Sequence, residues 1–166
     1  MYTHYWSTER CDDRDREGMQ RAVPIIREIV KRHRRLLCYE LDQIRKAPQV
    51  TPEMVRFNGR GDDGHETFLF DVNGGWAFTK TSRKPYDLAV CECLLILNAH
   101  LPNMTLDSDG FSSSLASQKN GIRFDESWNQ AIENVKQYGV HYHGRIKKRR
   151  APYCDLGLVL DRVSVA

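Results

Sequence analysis

The sequence predicts an α+β fold: an antiparallel sheet of four to six strands packed on a central apolar helix at about residues 86–101, with two further helices. Three observations carry this expectation. Between Leu88 and Leu101 only Glu92, Asn98 and His100 interrupt an apolar run, and a helix apolar on every side is buried on several of them. Apolar residues recur at helical spacing over residues 19–37 and again from Trp128 to Val135. Short alternating stretches with β-forming residues lie between glycine-rich turns, which is the pattern of strands.

Each element follows in order. Thr3 to Ser7 is aromatic and β-branched, the composition of a first strand. Asp12, Asp13 and Asp15 supply a cap and first-turn acids for a helix reaching about residue 37. Pro24 either starts its main part or kinks it. Residues 42–53 hold two prolines and read as a loop. Val55–Phe57, Thr67–Val72 and Trp76–Thr81 read as three strands of a meander, with Asn73-Gly74-Gly75 as a hairpin turn. Pro85 opens the apolar helix and Pro102 ends it. Met104–Leu106 suits an edge strand, and residues 107–121 a polar loop. Asp125 or a neighbour caps a third helix that Gly139 stops. Leu156 to Val163 reads as a last strand. The 166 residues make one domain, 1–166.

Hydrophobic residues are 40% and charged residues 28%, which excludes a wholly disordered chain. No run reaches 18 apolar residues, so no membrane span is expected. Met1 to Trp6 is not a basic segment leading into an apolar one, so a signal peptide is not expected and a cytoplasmic location is. The cysteines Cys11, Cys38, Cys91, Cys93 and Cys154 are odd in number and form no CxxC pair. Free thiols in a reducing compartment, with no metal and no cofactor, are the expectation.

Candidate chemistry sits in three segments. In Gly59-Arg60-Gly61-Asp62-Asp63-Gly64-His65-Glu66, glycines let the backbone fold tightly around acids and an imidazole. Asp62, Asp63 and Glu66 are hard-metal ligand types, and His65 with Glu66 are base and orienter types. A polar hairpin loop explains the same residues. In Lys80-Thr81-Ser82-Arg83-Lys84-Pro85-Tyr86-Asp87, cations and hydroxyls precede the start of the apolar helix. Phosphate or carboxylate binding follows from free N–H groups and the helix dipole, and so does a plain cap. In Thr3-His4-Tyr5-Trp6, alternation puts His4 and Trp6 on one face and Tyr5 on the other. The ligand set drawn from these segments is Lys80, Thr81, Arg83, Lys84, Asp87, His4, Trp6, Asn58 and His65. Asp107-Ser108-Asp109 could reach a ribose or form a turn, and His141 and His143 could share a face.

Two basic stretches, 27–35 and 145–150, offer a surface to a polyanion, although a solvated face is the simpler reading. No Walker, GxSxG or HExxH pattern occurs.

Thr3-His4-Tyr5-Trp6, Arg56-Phe57-Asn58-Gly59 through Gly61-Asp62-Asp63-Gly64-His65-Glu66-Thr67-Phe68, and Lys80-Thr81 through Arg83-Lys84-Pro85-Tyr86-Asp87 together resemble a set of small proteins encoded by bacteriophages and other viruses. The resemblance covers roughly residues 1–110. It implies a viral origin and a place in the host cytoplasm, and it names no chemistry.

The first functional expectation is binding of a small phosphorylated or nucleotide-type ligand, such as a host defence signal. The first alternative is a metal-assisted hydrolase using Asp62, Asp63, His65 and Glu66. The second is an inhibitor of a host protein or nucleic acid working through the basic stretches. A homo-oligomer is compatible with all three. The leading expectation requires the cationic helix entrance and the glycine-flanked acids to meet in one concave pocket.

Overall fold

A computed structural model describes residues 1–113, 122–142, 146–148, 158–160 and 164–165. Among these residues it is an α+β fold of three α-helices and antiparallel strands. Strand β1 (Thr3–Ser7) turns His4 and Trp6 inward and Tyr5 and Ser7 outward, as alternation requires. Helix α1 (Asp13–Arg32) starts at a capping box formed by Asp12 and Asp15. Asp15 is buried and also accepts from the Asn103 main chain and side chain at 2.9 and 2.8 Å.

Pro24 lies inside α1, which runs on through it. The helix ends earlier than the apolar spacing suggests, because Leu37–Cys38 leaves to form β2. Strand β4 (Met54–Gly59) is central to the second sheet: Leu37 pairs with Gly59, and β3 (Gln49–Val50) pairs with Arg56 and Val55. Strand β5 (Phe68–Asp71) runs along β4.

The expected meander stops there. The Asn73–Gly75 turn leads into β6 (Trp76–Lys80), but β6 pairs with β1, not with β5. The reason is phase. Phe68 and Phe70 face the core from β5, whereas Trp76 and Phe78 face solvent from β6. The Glu66 N–H to Lys80 carbonyl bond sets a register in which those residues would be opposite one another. A shared ladder would put buried and exposed side chains on one face. The strands therefore separate, and the expected single sheet divides in two. Trp6 joins them, with its ring 5.4 Å from Phe68 and 6.3 Å from Phe70.

Helix α2 (Asp87–His100) is buried along most of its length, with α1 and α3 (Glu126–Val135) against it. At the α1–α2 crossing a Cβ on Gly18 would lie 1.9 Å from the His100 carbonyl oxygen, so only glycine permits this approach. Strand β7 (Thr105–Ser108) completes the β6–β1–β7 sheet. Strands β8 (Phe111–Ser113) and β9 (Ile122–Phe124) pair, and Asp125 caps α3 by accepting from the Trp128 N–H at 3.2 Å. Gly139 closes that segment at φ 72°.

Strand β10 (Val140–His141) pairs with the final two-residue strand, and Ile146–Lys148 pairs with Leu158–Leu160. The remainder of the expected 156–163 strand, His143, Cys154 and the side chains of the 145–150 stretch lie outside the described residues. Among the described residues no helix is long and apolar enough to cross a membrane.

Candidate functional site

The sheet and α2 meet around a buried polar network. His4 projects from β1, Asp87 and Cys91 lie one turn apart at the start of α2, and Ser108 ends β7. Ser108 Oγ accepts from Trp128 Nε1 at 2.9 Å and from the Gly110 N–H at 3.0 Å. With both acceptor positions taken, its hydroxyl donates to His4 Nδ1 at 2.7 Å. This pattern assigns the ring proton to Nε2, which donates to Asp87 Oδ1 at 2.7 Å. Thr81 donates to the same carboxylate. Burial by itself raises the Asp87 pKa, but the bonds from His4, Thr81 and Ser127 outweigh it and hold the carboxyl below its ordinary value. The anion position at the α2 N-terminus is therefore filled by the protein's own carboxylate.

His4 Nε2, the Asp87 carboxylate and Cys91 Sγ lie within 4.8 Å of one another, a donor set zinc accepts by type. In this hydrogen-bond pattern the one lone pair of the neutral ring, on Nδ1, accepts from Ser108, and Nε2 serves Asp87 as an N–H donor. The network holds no poised nucleophile. Burial and then the Asp87, Asp125 and Glu92 charges push the Cys91 thiol well up. Ser108 has both lone pairs engaged. The network is a brace between sheet and helix.

Above it the surface is polar and strained. The Tyr2 ring stands edge-on to His4 at 5.1 Å, and its hydroxyl donates to Asp125. The Arg83 guanidinium lies over Tyr2 at 4.0 Å and bonds Asp125 Oδ2 at 2.9 Å. Ser82 and Arg83 have φ of 52° and 57°, two successive non-glycine residues in the left-handed region. Lys80 Nζ is 3.8 Å from Glu66, and Lys84 is half-exposed.

The outer face of the β6–β1–β7 sheet carries Tyr5, Phe78 and Trp76. Tyr5 and Phe78 are cross-strand partners, and the Phe78 and Trp76 centroids are 5.4 Å apart. Trp76 is 57% exposed and Phe78 42%. Lys80 Nζ sits 5.5 Å from the Phe78 ring. Asp107 is opposite Tyr5 on β7, and Tyr5 donates to Asp109 at 3.3 Å. Burial, partly offset by the Ser108 N–H and reinforced by Asp109, pushes the Asp107 carboxyl up to about 6.

The sequence-nominated residues divide between core and surface. His4, Trp6, Asn58, Thr81 and Asp87 are interior, so they shape the site and do not line it. Trp6 belongs to the core because β1 turns that face inward. Asn58 organises the glycine loop: its Nδ2 donates to the His65 carbonyl at 2.9 Å, and its Oδ1 accepts from the Gly59 and His65 N–H groups. His65 Nδ1 pairs with the Lys80 carbonyl at 2.9 Å, and Glu66 accepts from the Lys80 N–H at 2.9 Å. The loop and the helix entrance thus pack together through main-chain groups, including a bond from the Tyr86 N–H to the Asp63 carbonyl.

The hydrolase constellation does not assemble. Asp62 and Asp63 are exposed on a 3-10 turn at Gly61–Asp63 while Glu66 is committed to Lys80. Among the described residues these carboxylates do not gather into a metal-ligating group. Trp76 and Phe78 are the surface residues that motif reading passed over, while alternation already sets Tyr5 on the face opposite His4 and Trp6. The only sequence signal of Trp76 and Phe78 is the alternation Trp76-Ala77-Phe78-Thr79-Lys80, with every large side chain on one side.

No protein-family model, curated protein or solved structure matches the chain.

Proposed function

We propose that the chain binds a nucleotide-type ligand on the outer face of the β6–β1–β7 sheet. The observation that carries this reading is the row of solvent-facing rings Tyr5, Phe78 and Trp76, with Lys80 beside it. Exposed aromatics on adjacent strands form a stacking platform for a planar base. Lys80, beside the Phe78 ring, supplies charge for a phosphate, and Asp107 and Asp109 supply acceptors for ribose hydroxyls or a base amine. The strained Ser82–Arg83 turn supports the reading, because such strain concentrates at ligand clamps. The resemblance to virus-encoded proteins makes a host signalling nucleotide the first ligand class to test, and sequestration the proposed consequence.

Trp6 and Trp128 are buried and Trp76 is exposed, so fluorescence quenching reports on the platform. The experiment is titration with cyclic, ADP-ribose-type and linear nucleotides, checked by calorimetry. Trp76→Ala or Phe78→Ala is expected to weaken binding roughly 5- to 100-fold. Lys80→Ala is expected to weaken phosphorylated ligands and spare nucleosides. Absence of binding across the panel, or binding indifferent to Trp76 and Phe78, overturns the reading.

A further inference from the structure

We infer that the C-terminal end of α1 is a binding surface for the phosphate backbone of a nucleic acid. Arg27, Lys31, Arg34 and Arg35 come from α1 and the turn after it. Arg60 arrives from the end of β4: its Nε donates to the Leu37 carbonyl at 2.8 Å and its Nη2 to the Arg34 carbonyl at 3.4 Å. Lys46 comes from the loop between β2 and β3, with its main-chain carbonyl bonded to the Tyr39 N–H and its Nζ 3.5 Å from the Tyr39 ring. All six cations are exposed.

The group also lacks carboxylate partners, a property it shares among the described residues with Arg10, Arg21, Arg45, Lys84 and Arg123. Arg14, Arg16, Arg32, Arg56, Lys80, Arg83 and Lys136 each have a carboxylate within 4.0 Å. None of the six has one among the described residues. The helix dipole accounts for Lys31, which lies in the last turn. It does not account for Arg60 and Lys46, which come from other segments.

Several heads are also held in place. Arg34 donates to the Lys31 carbonyl at 3.1 Å and Arg27 to the Val50 carbonyl at 3.0 Å. Carbonyl anchoring orients a guanidinium without neutralising it, so its charge remains available to a phosphate.

A polymer with anions at regular intervals fits cations delivered by three chain segments. Lys46 Nζ lies 3.5 Å and the Arg56 guanidinium 4.6 Å from the Tyr39 ring centroid, so that ring already carries cations where a base would stack. The surface therefore reads backbone charge and not sequence. It is independent of the nucleotide platform, which uses different residues.

The test is fluorescence anisotropy of the intact chain with labelled single- and double-stranded oligonucleotides, from 50 to 200 mM salt. About four phosphate contacts predict a loss of roughly 100-fold in affinity across that range. Lys31 and Arg35 make no side-chain hydrogen bond among the described residues. The Lys31→Gln/Arg35→Gln double variant should therefore keep its circular dichroism spectrum. Its salt slope should fall by about 2. Three results overturn the proposal: no oligonucleotide retained at 50 mM salt, a slope unchanged in the double variant, or poly-glutamate bound as tightly as the oligonucleotides.

Discussion

His4 Nε2 and Asp87 Oδ1 meet at 2.7 Å although 83 residues separate them in the chain. The contact joins the central strand of the β6–β1–β7 sheet to the first turn of the buried helix. The buried Tyr2 ring packs edge-on against His4 and also carries the exposed Arg83 guanidinium.

Asp87→Ala leaves the buried His4 N–H and the Thr81 hydroxyl without their acceptor. Each buried donor left unsatisfied costs about 1–3 kcal/mol. Urea unfolding should show a lower midpoint with an unchanged slope. A variant as stable as the parent would mean that the carboxylate does not brace the core.

Gly18→Ala would ordinarily favour a helix by about 1 kcal/mol. Here the added methyl meets the His100 carbonyl at 1.9 Å, and main-chain atoms yield little. The overlap should win, with a net loss of about 2–3 kcal/mol. Thermal unfolding measures it.

Acid should destabilise the fold through Glu92 as well as Asp87. Glu92 is buried in α2 and receives Arg32 at 2.5 Å, Asn134 at 3.0 Å and His33 at 3.2 Å. Burial pushes its pKa up, but those partners outweigh it and the net shift is downward. A depressed folded-state pKa contributes stability that is present above the unfolded value and lost as pH falls through the folded one. Unfolding midpoints taken from pH 6 down to pH 2 should fall. Glu92→Gln should be about 1–3 kcal/mol less stable at pH 7 and show a shallower acid slope.

Asp107 has the opposite sign. Its folded-state pKa of about 6 lies above the unfolded value, so its ionisation opposes folding as pH rises through 4 to 6. Asp107→Asn can still accept from the Ser108 N–H and should raise the unfolding midpoint at pH 7. If Asp107 also accepts from a bound ribose or base, the same variant weakens nucleotide binding, which separates its two roles.

Ser82→Gly removes a left-handed cost of about 1–2 kcal/mol, against the extra chain entropy of glycine. A net gain of about 0.5–1 kcal/mol is expected in thermal unfolding. If the strain instead serves ligand binding, the gain in stability should accompany a lower nucleotide affinity.

Much of the fold was legible because its signals are local. The apolar run to Leu101 marked α2, the polar stretch around Asp125 marked the start of α3, and alternation separated His4 and Trp6 from Tyr5. The site was less legible because identical patterns serve core and surface. Thr3-His4-Tyr5-Trp6 states that two faces exist, not which one meets solvent. The glycine loop is rich in acids, yet Asn58, His65 and Glu66 spend their polar atoms holding main chain. Ser108 sits in a segment that looks like a polar turn, and only β1 beside it makes it a partner of His4.

Residue order by itself determined the helices, most strands and the two cationic segments, since propensity, capping and periodicity act over a few neighbours. Only the tertiary structure decided that β6 leaves β5 for β1, that Trp76 and Phe78 share a face with Tyr5, and that Arg60 joins Arg34. Those outcomes depend on which buried surfaces find one another across long stretches of chain, and no local rule encodes that choice.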